Sequence, residues 1–192
     1  SVVPSSSSVS NASDLFISEY VEGSGSNKYI EIFNGTGGSV DLSDYRLRLY
    51  SNGASTPNND VILSGTLANN STLVYSNSSA TAYTGSSTAN SAVSFNGDDA
   101  VALYKISSSS FVDVFGRIGD DPGSAWSAGG NSTVNKTLVR NSNITGGVTA
   151  SPTGTGPTAF TTLATEWSQS NQDDVSNLGT HTYGTSNGNI IP

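Results

Sequence analysis

The feature that most restricts the fold of this chain is an alternation of apolar and polar residues in short runs. In the run 45–50, Tyr45, Leu47 and Leu49 alternate with two arginines and a tyrosine. Side chains point to opposite faces of a β-strand in turn, so this run predicts a strand with one buried face. Similar runs, separated by Gly, Asn, Ser and Asp, are 15–21, 29–33, 61–63, 72–75, 92–95, 100–106, 111–115 and 136–140. This pattern predicts an all-β domain.

Strands with one buried face favour a two-sheet sandwich or a barrel. No internal repeat of roughly 20–50 residues occurs, which argues against a solenoid or propeller. Residues 76–91 and 141–165 are long loops rich in Ser, Thr, Gly and Asn. Because loops of this length usually carry function or are mobile, we expect function to lie in them.

Composition excludes several other classes. Half of the 192 residues are Ser, Thr, Asn or Gly, and only 11% are charged, which excludes a helical bundle. No apolar run approaches the roughly 18 residues that span a bilayer, so no membrane insertion is expected. Without cysteine there is no thiol nucleophile, disulfide or thiolate zinc site. The 8 Tyr, 6 Phe and 2 Trp fall among Val, Ile and Leu, which supplies a core and argues against disorder.

The formal net charge is −8, and the few basic residues are scattered. A non-specific nucleic-acid binder needs a basic stripe to displace counterions. Direct nucleic-acid binding is therefore not expected, although Arg46 and Arg48 form a small local basic pair.

We expect residues 1–13 to be a flexible linker, residues 14–183 a single domain and residues 184–192 a tail or linker, because both ends are rich in Ser, Gly and Asn. The absence of Cys and Met, with low charge and abundant Ser, Thr and Asn, resembles secreted bacterial proteins. The expected location is therefore extracellular or at the cell surface.

Five segments of the sequence form an ordered set of motifs. Residues 15–20 read LFISEY, 28–34 read KYIEIFN, 40–47 read VDLSDYRL, 95–104 read FNGDDAVALY and 112–119 read VDVFGRIG. These segments and their order resemble the lamin tail domain family, and the resemblance covers roughly residues 14–183. It implies an all-β, immunoglobulin-like β-sandwich with long Ser/Thr/Asn/Gly-rich loops and no catalytic activity.

Trp126, the run 136–140 and Glu166-Trp167 resemble the bacterial branch of the family, in which such domains accompany secreted nucleases or phosphatase-like enzymes. The resemblance implies an attachment or targeting module. Its expected partners are an extracellular matrix, cell-surface or polysaccharide component, or an adjacent catalytic domain of the same polypeptide.

A catalytic site has little support in the sequence. His181 is the single histidine, and no Gly-x-Ser-x-Gly segment accompanies it. A glycosidase-like pair of carboxylates would come from Glu19, Glu22, Glu31 or Glu166, but their spacing singles out no two of them. We therefore expect no enzyme and no required cofactor.

Calcium binding is the first functional alternative. Asp98-Asp99 and Asp120-Asp121 lie beside glycines. Calcium takes six to eight oxygen ligands from such loops, and Asp and Asn also form turns without any ion. These four aspartates are the candidate Ca²⁺ ligands.

Sugar binding is the second alternative, as a calcium-dependent carbohydrate-binding module. Aromatic rings stack on sugar faces, and Trp126, Tyr104 and Trp167 are the candidate ligand-binding residues. Trp126 lies in a Gly-rich segment that either presents the ring or lets it plug the end of the sandwich.

Overall fold

The computed structural model describes residues 9–184. Its strands are β1 (Phe16–Glu22), β2 (Lys28–Asn34), β3 (Val40–Asp41), β4 (Tyr45–Tyr50), β5 (Asn59–Ile62), β6 (Thr66–Leu67), β7 (Ser71–Ser76), β8 (Thr88–Ala89), β9 (Ala100–Lys105), β10 (Ser110–Phe115), β11 (Ser127–Ala128), β12 (Asn131–Ser132), β13 (Thr137–Arg140) and β14 (Trp167–Ser170). A 3-10 turn covers Leu42–Asp44, and α1 covers Leu163–Glu166. Within residues 9–184 no helix has the length and apolarity to cross a bilayer.

Two sheets enclose the core. The larger has the order β14-β13-β1-β2-β7-β8, and the smaller has the order β10-β9-β4-β5. All neighbours are antiparallel except β7 and β8, which are parallel. One apolar cluster draws its side chains from both sheets. The prediction of an all-β, immunoglobulin-like sandwich is confirmed.

Aromatic rings fill the centre of this core. The ring of Tyr20 stacks on Phe115 at 4.2 Å and on Phe95 at 4.6 Å between centroids. Phe115 in turn meets the edges of Phe160 at 4.7 Å and Trp167 at 5.1 Å. Because Phe160 belongs to the long 141–165 loop, that loop helps to build the core.

The predicted strand at 92–95 is wrong. Ala92, Val93 and Phe95 are fully buried, but the backbone there turns, and the Asn90 side chain accepts a hydrogen bond from the Ala92 amide at 2.9 Å. Strand β14, which pairs with β13, is in contrast absent from the runs that the sequence predicts as strands. Burial alone does not distinguish a strand from an apolar loop in a short run.

Strands β1 and β2 are buried on both faces rather than one. Their outer face is covered by residues 171–184, which we call the C-terminal strap, and by the 77–91 loop. Leu178 of the strap and Tyr83 of the loop pack against Tyr29. Tyr183 packs against Phe33 at 5.2 Å between ring centroids. The strap therefore forms a third layer over the centre of the larger sheet.

The predicted terminal linkers fall largely on residues 1–8 and 185–192, which lie outside the described residues. At the start of the described part, the Ala12 amide donates to the Gly35 carbonyl at 2.8 Å and the Ser13 amide donates to the Thr145 carbonyl at 3.0 Å. Ala12 is also buried. These residues are therefore attached to the sandwich.

Candidate binding groove beside the C-terminal strap

A polar groove of about 540 Å³ lies where the end of β13 meets the strap. Its volume is within the range of small-molecule binding sites. Amide and hydroxyl side chains dominate its lining, which includes Asn141, Asn143, Thr165, Ser168, Asn177 and Thr182. The other lining residues are Val139, Arg140, Ser142 and His181. The 141–165 loop helps to form this groove, and the location of function in the long loops stays a prediction.

Arg140 is the charged residue of this groove, and its charge is neutralised. Its side chain is 1% exposed, with Nη1 2.7 Å from Asp113 Oδ2 and Nη2 2.6 Å from Glu166 Oε2. Asp113 also accepts hydrogen bonds from the amides of Ile17 at 2.8 Å and Val148 at 2.9 Å. The Arg140 Nε–H remains without a hydrogen-bond partner. Arg140 is thus held by ion pairs at the groove, and its unpaired Nε–H is buried.

His181 of the strap lies against aromatic rings of the larger sheet. Its ring centroid is 4.9 Å from that of Phe33 and 5.7 Å from that of Phe16. Burial and then the charge of Arg140 lower the pKa of His181 to about 4. Neither ring nitrogen has a hydrogen-bond partner. At neutral pH the ring is uncharged and offers one donor and one acceptor.

Two buried glutamates hold the strap on the sheet. Glu19 of β1 and Glu31 of β2 are directly opposite in the strand register, and both are 0% exposed. Asn177 donates from Nδ2 to Glu19 Oε2 at 2.8 Å, and the Gly179 amide donates to Glu31 Oε2 at 2.7 Å. Ser18 donates its hydroxyl to Glu31 Oε1 at 2.6 Å. The oxygen Oε1 of Glu19 is buried without a partner.

Burial is the main cause that raises the pKa of Glu19 to about 8 and that of Glu31 to about 7. For Glu19, the neighbouring Glu31 and Asp174 carboxylates raise the pKa further, while the bond from Asn177 opposes the rise. Within residues 9–184 neither glutamate takes part in a salt bridge. The two carboxyl groups are therefore held partly or wholly protonated near neutral pH.

The candidate calcium ligands partly come together. Burial raises the pKa of Asp98 and Asp99, and each is raised further by the nearby Asp121. Asp99 is 2% exposed and accepts hydrogen bonds from the Asn52 amide at 2.9 Å and the Asn96 amide at 2.7 Å. Both of its oxygens thus serve as acceptors that join two turns.

The other two candidate calcium ligands each accept a hydrogen bond from a backbone amide. Asp120 accepts a hydrogen bond from the Gly156 amide at 2.8 Å, and Asp121 accepts one from the Gly123 amide at 2.8 Å. Across the part of the chain that the structure describes, no group of three or more His, Asp or Glu side chains is placed to hold a metal ion. The calcium site stays a prediction.

The candidate sugar-binding aromatics do not share one site. Trp126 is 0% exposed and donates from Nε1 to the Asp99 carbonyl at 3.3 Å, and Trp167 is 3% exposed within the same core. Tyr104 lies on the outer face of the smaller sheet, where the Arg48 guanidinium is 3.7 Å from its ring centroid. Of these three rings, Tyr104 alone lies outside the core, and Arg48 covers one of its faces.

In the sequence, Glu19 and Glu31 are two of four glutamates, and no pattern connects them with the residues of the strap. Each interrupts an apolar strand pattern, Glu19 between Ile17 and Tyr20 and Glu31 between two isoleucines. A polar residue in a run buried on both faces signals a buried partner, but the partner segment is more than 140 residues away in the chain.

The polar residues of the family-like motifs have structural partners. Asn34 donates from Nδ2 to the carbonyls of Gly38 and Leu67, both at 2.8 Å. Glu31, Asp99 and Asp113 accept the backbone bonds described above. These side chains stabilise the ends of strands and the loops between them.

Comparison with known proteins identifies the family of the chain through residues outside the groove. No curated protein and no solved structure matched the chain. The model of the lamin tail domain family matches residues 8–119, which is more than half of the sequence and includes β1 to β10. The lamin tail domain is an immunoglobulin-like, generally non-catalytic domain. The chain therefore belongs to the lamin tail domain family.

Proposed function

We propose that this chain is a non-catalytic attachment domain of a secreted bacterial protein, and that it binds its ligand in the polar groove beside the strap. In its host protein it would hold a neighbouring, nuclease-like hydrolase on a surface, matrix or substrate. The observation that carries the proposal is the lining of the groove, which combines many amides and hydroxyls with a neutralised arginine.

The chemistry of the groove favours a neutral ligand rich in hydroxyl groups, such as a polysaccharide unit. A charged ligand would find no free counter-charge, because Asp113 and Glu166 already neutralise Arg140. A hydroxyl both donates and accepts, so it can pair with the exposed side chains of Asn143 and Thr182 that line the groove.

The state of His181 supports a non-catalytic role. A general base works best when its pKa is near the operating pH. Burial among Phe16 and Phe33 leaves this ring with a pKa of about 4 and no bond to a serine or aspartate. Such a ring is a weak base and suits binding better than proton transfer.

A binding panel tests the proposal. Immobilised neutral polysaccharides, acidic polysaccharides and double-stranded DNA are compared as ligands, and the affinity is measured by titration calorimetry with soluble oligomers of any polymer that retains the protein. We expect retention on at least one neutral polysaccharide. Retention on acidic polymers or DNA alone, or on none of the panel, would contradict the ligand class.

Two substitutions locate the site. Asn143 and Thr182 line the groove and are exposed. Asn143→Ala and Thr182→Ala should each weaken binding about fivefold, which corresponds to one lost hydrogen bond of about 1 kcal/mol. Thr155→Ala, at an exposed position in the same loop but outside the groove lining, is the matched control and should bind like the wild type. Equal affinities of all three variants would place the ligand elsewhere.

A calcium-dependent carbohydrate-binding module is the alternative, for which the aspartates beside glycines, Asp98-Asp99 and Asp120-Asp121, are the candidate ligands. The same panel separates the two, because EDTA would abolish calcium-dependent binding and leave groove binding unchanged. Under the alternative, millimolar calcium would also raise the melting temperature, since an ion that binds only the folded state stabilises it.

A further inference from the structure

The carboxyl pair beneath the strap combines three features that the attachment function does not use. Glu19 and Glu31 are fully buried, they are side by side on neighbouring strands, and each accepts a hydrogen bond from the strap. Burying even one carboxylate without a cation is unfavourable, and two adjacent carboxylates repel each other. The closed strap is therefore compatible with protonated carboxyl groups and strained by ionised ones.

We propose that the C-terminal strap closes the groove in a pH-dependent way: it stays closed while Glu19 and Glu31 are protonated and opens when both ionise. The strap contributes three lining residues to the groove, Asn177, His181 and Thr182. Opening of the strap therefore removes these three residues from the lining. This inference rests on the proposed function for its consequence, which is that ligand is held at mildly acidic pH and released at alkaline pH.

The charged surroundings of the pair offer no compensation for its ionisation. From the strap, Asp174 adds a further negative charge near Glu19. On β13, Arg140 is bound by Asp113 and Glu166. On the pair's own strands, Lys28 is bound by Glu22. The loop side contributes Tyr83, whose hydroxyl donates to the Leu178 carbonyl at 3.3 Å.

His181 acts in the opposite direction. Its lowered pKa means that protonation favours the open strap as the pH falls from the ordinary range of histidine towards 4. At pH 6.5 and above, a histidine with either pKa is at most half charged, so His181 changes the opening equilibrium by no more than about twofold there. Measurements from pH 6.5 upward therefore isolate the effect of the two glutamates.

The raised pKa values set the expected profile. The opening equilibrium constant rises about tenfold per pH unit for each carboxyl group that ionises only on opening. With closed-state values of about 7 for Glu31 and about 8 for Glu19, opening should increase from pH 6.5 to pH 8 by at least about tenfold and level off above pH 8.

Hydrogen exchange measured by mass spectrometry tests the inference without any ligand. After correction for the intrinsic pH dependence of exchange, peptides covering residues 171–184 should lose protection between pH 6.5 and pH 8, while peptides covering 45–50 in the core should not. Unchanged strap protection across this range would overturn the proposal.

Glutamine variants provide the decisive comparison. Glu19→Gln and Glu31→Gln keep an acceptor for the strap but cannot ionise, so the double variant should keep its strap protected at pH 8.5. Asp41→Asn, which removes an exposed carboxylate elsewhere, is the control and should open like the wild type. Strap opening in the glutamine variant equal to that of the wild type would also overturn the proposal.

Two further readouts keep the outcomes distinct. If the double variant unfolds, carboxyl ¹³C NMR of the wild type still tests the inference. Both glutamates must titrate near neutrality, over the same pH range in which hydrogen exchange of the strap increases. Titration of the two carboxyl groups below pH 5 would contradict the inference. Strap opening without polysaccharide binding would refute the proposed function alone. Binding whose affinity and strap protection are independent of pH would refute the inference alone.

Discussion

At the scale of single residues, buried carboxylates within strands organise this domain. Asp113 illustrates the principle, because it accepts hydrogen bonds from two backbone amides and forms a salt bridge with Arg140 while being 1% exposed. Without Asp113, the amides of Ile17 and Val148 would lose their acceptor and Arg140 would keep Glu166 alone, and unsatisfied buried polar groups are costly.

We therefore expect Asp113→Ala to lower the free energy of unfolding by about 3–5 kcal/mol. The measurement is urea unfolding followed by tryptophan fluorescence, with the exposed Asp41→Asn as a control expected within about 0.5 kcal/mol of the wild type. A loss below about 1 kcal/mol for Asp113→Ala would mean that Glu166 alone satisfies Arg140 and that the two freed amides reach water.

At the scale of elements, the sequence identified most of the long strands because their apolar periodicity reflects a buried face. The run 45–50 became β4 with the predicted bounds. Elements defined by their neighbours were missed or mistaken. Residues 92–95 are apolar because three of their side chains are buried in the core, although the backbone there forms a turn. Strand β14 forms because it pairs with β13 in the larger sheet.

The sequence indicated which chemical groups would line a candidate site, but not where in the fold that site would lie. The abundance of Ser, Thr and Asn indicated function through amide and hydroxyl groups, and the groove has such a lining. Its place was not predictable, because the strap meets β1 and β2 through contacts such as Asn177 with Glu19, separated by 158 residues. The Gly-rich flanks of Trp126 allowed either a presented ring or a ring that plugs the end of the sandwich, and the indole is buried.

At the scale of the whole molecule, the shifted pKa values predict how stability depends on pH. Glu19 and Glu31 have pKa values raised above the ordinary value, so their contribution to stability is complete below about pH 4.5 and is lost as the pH rises through 7 and 8. His181 contributes stability above about pH 6.5 that is lost as the pH falls through 4.

Stability should therefore be greatest on the acid side of neutrality and decline towards pH 8.5. Since one pKa unit corresponds to about 1.4 kcal/mol, the decline in unfolding free energy amounts to several kcal/mol, limited by the separate opening of the strap. Thermal melts of the wild type and of the Glu19→Gln/Glu31→Gln variant check this. A wild type whose melting temperature rises from pH 5.5 to pH 8.5 would be incompatible with the buried protonated pair.

The most direct test of the groove as the binding site is an NMR titration of the ¹⁵N-labelled chain at pH 6 with an oligosaccharide from the polymer that retains it. We expect amide shift changes concentrated at residues 139–143, 165–168 and 177–182. Changes confined to the Arg48 and Tyr104 face or to the turns at Asp98 and Asp121, with the groove amides unmoved, would show that the groove is not the binding site.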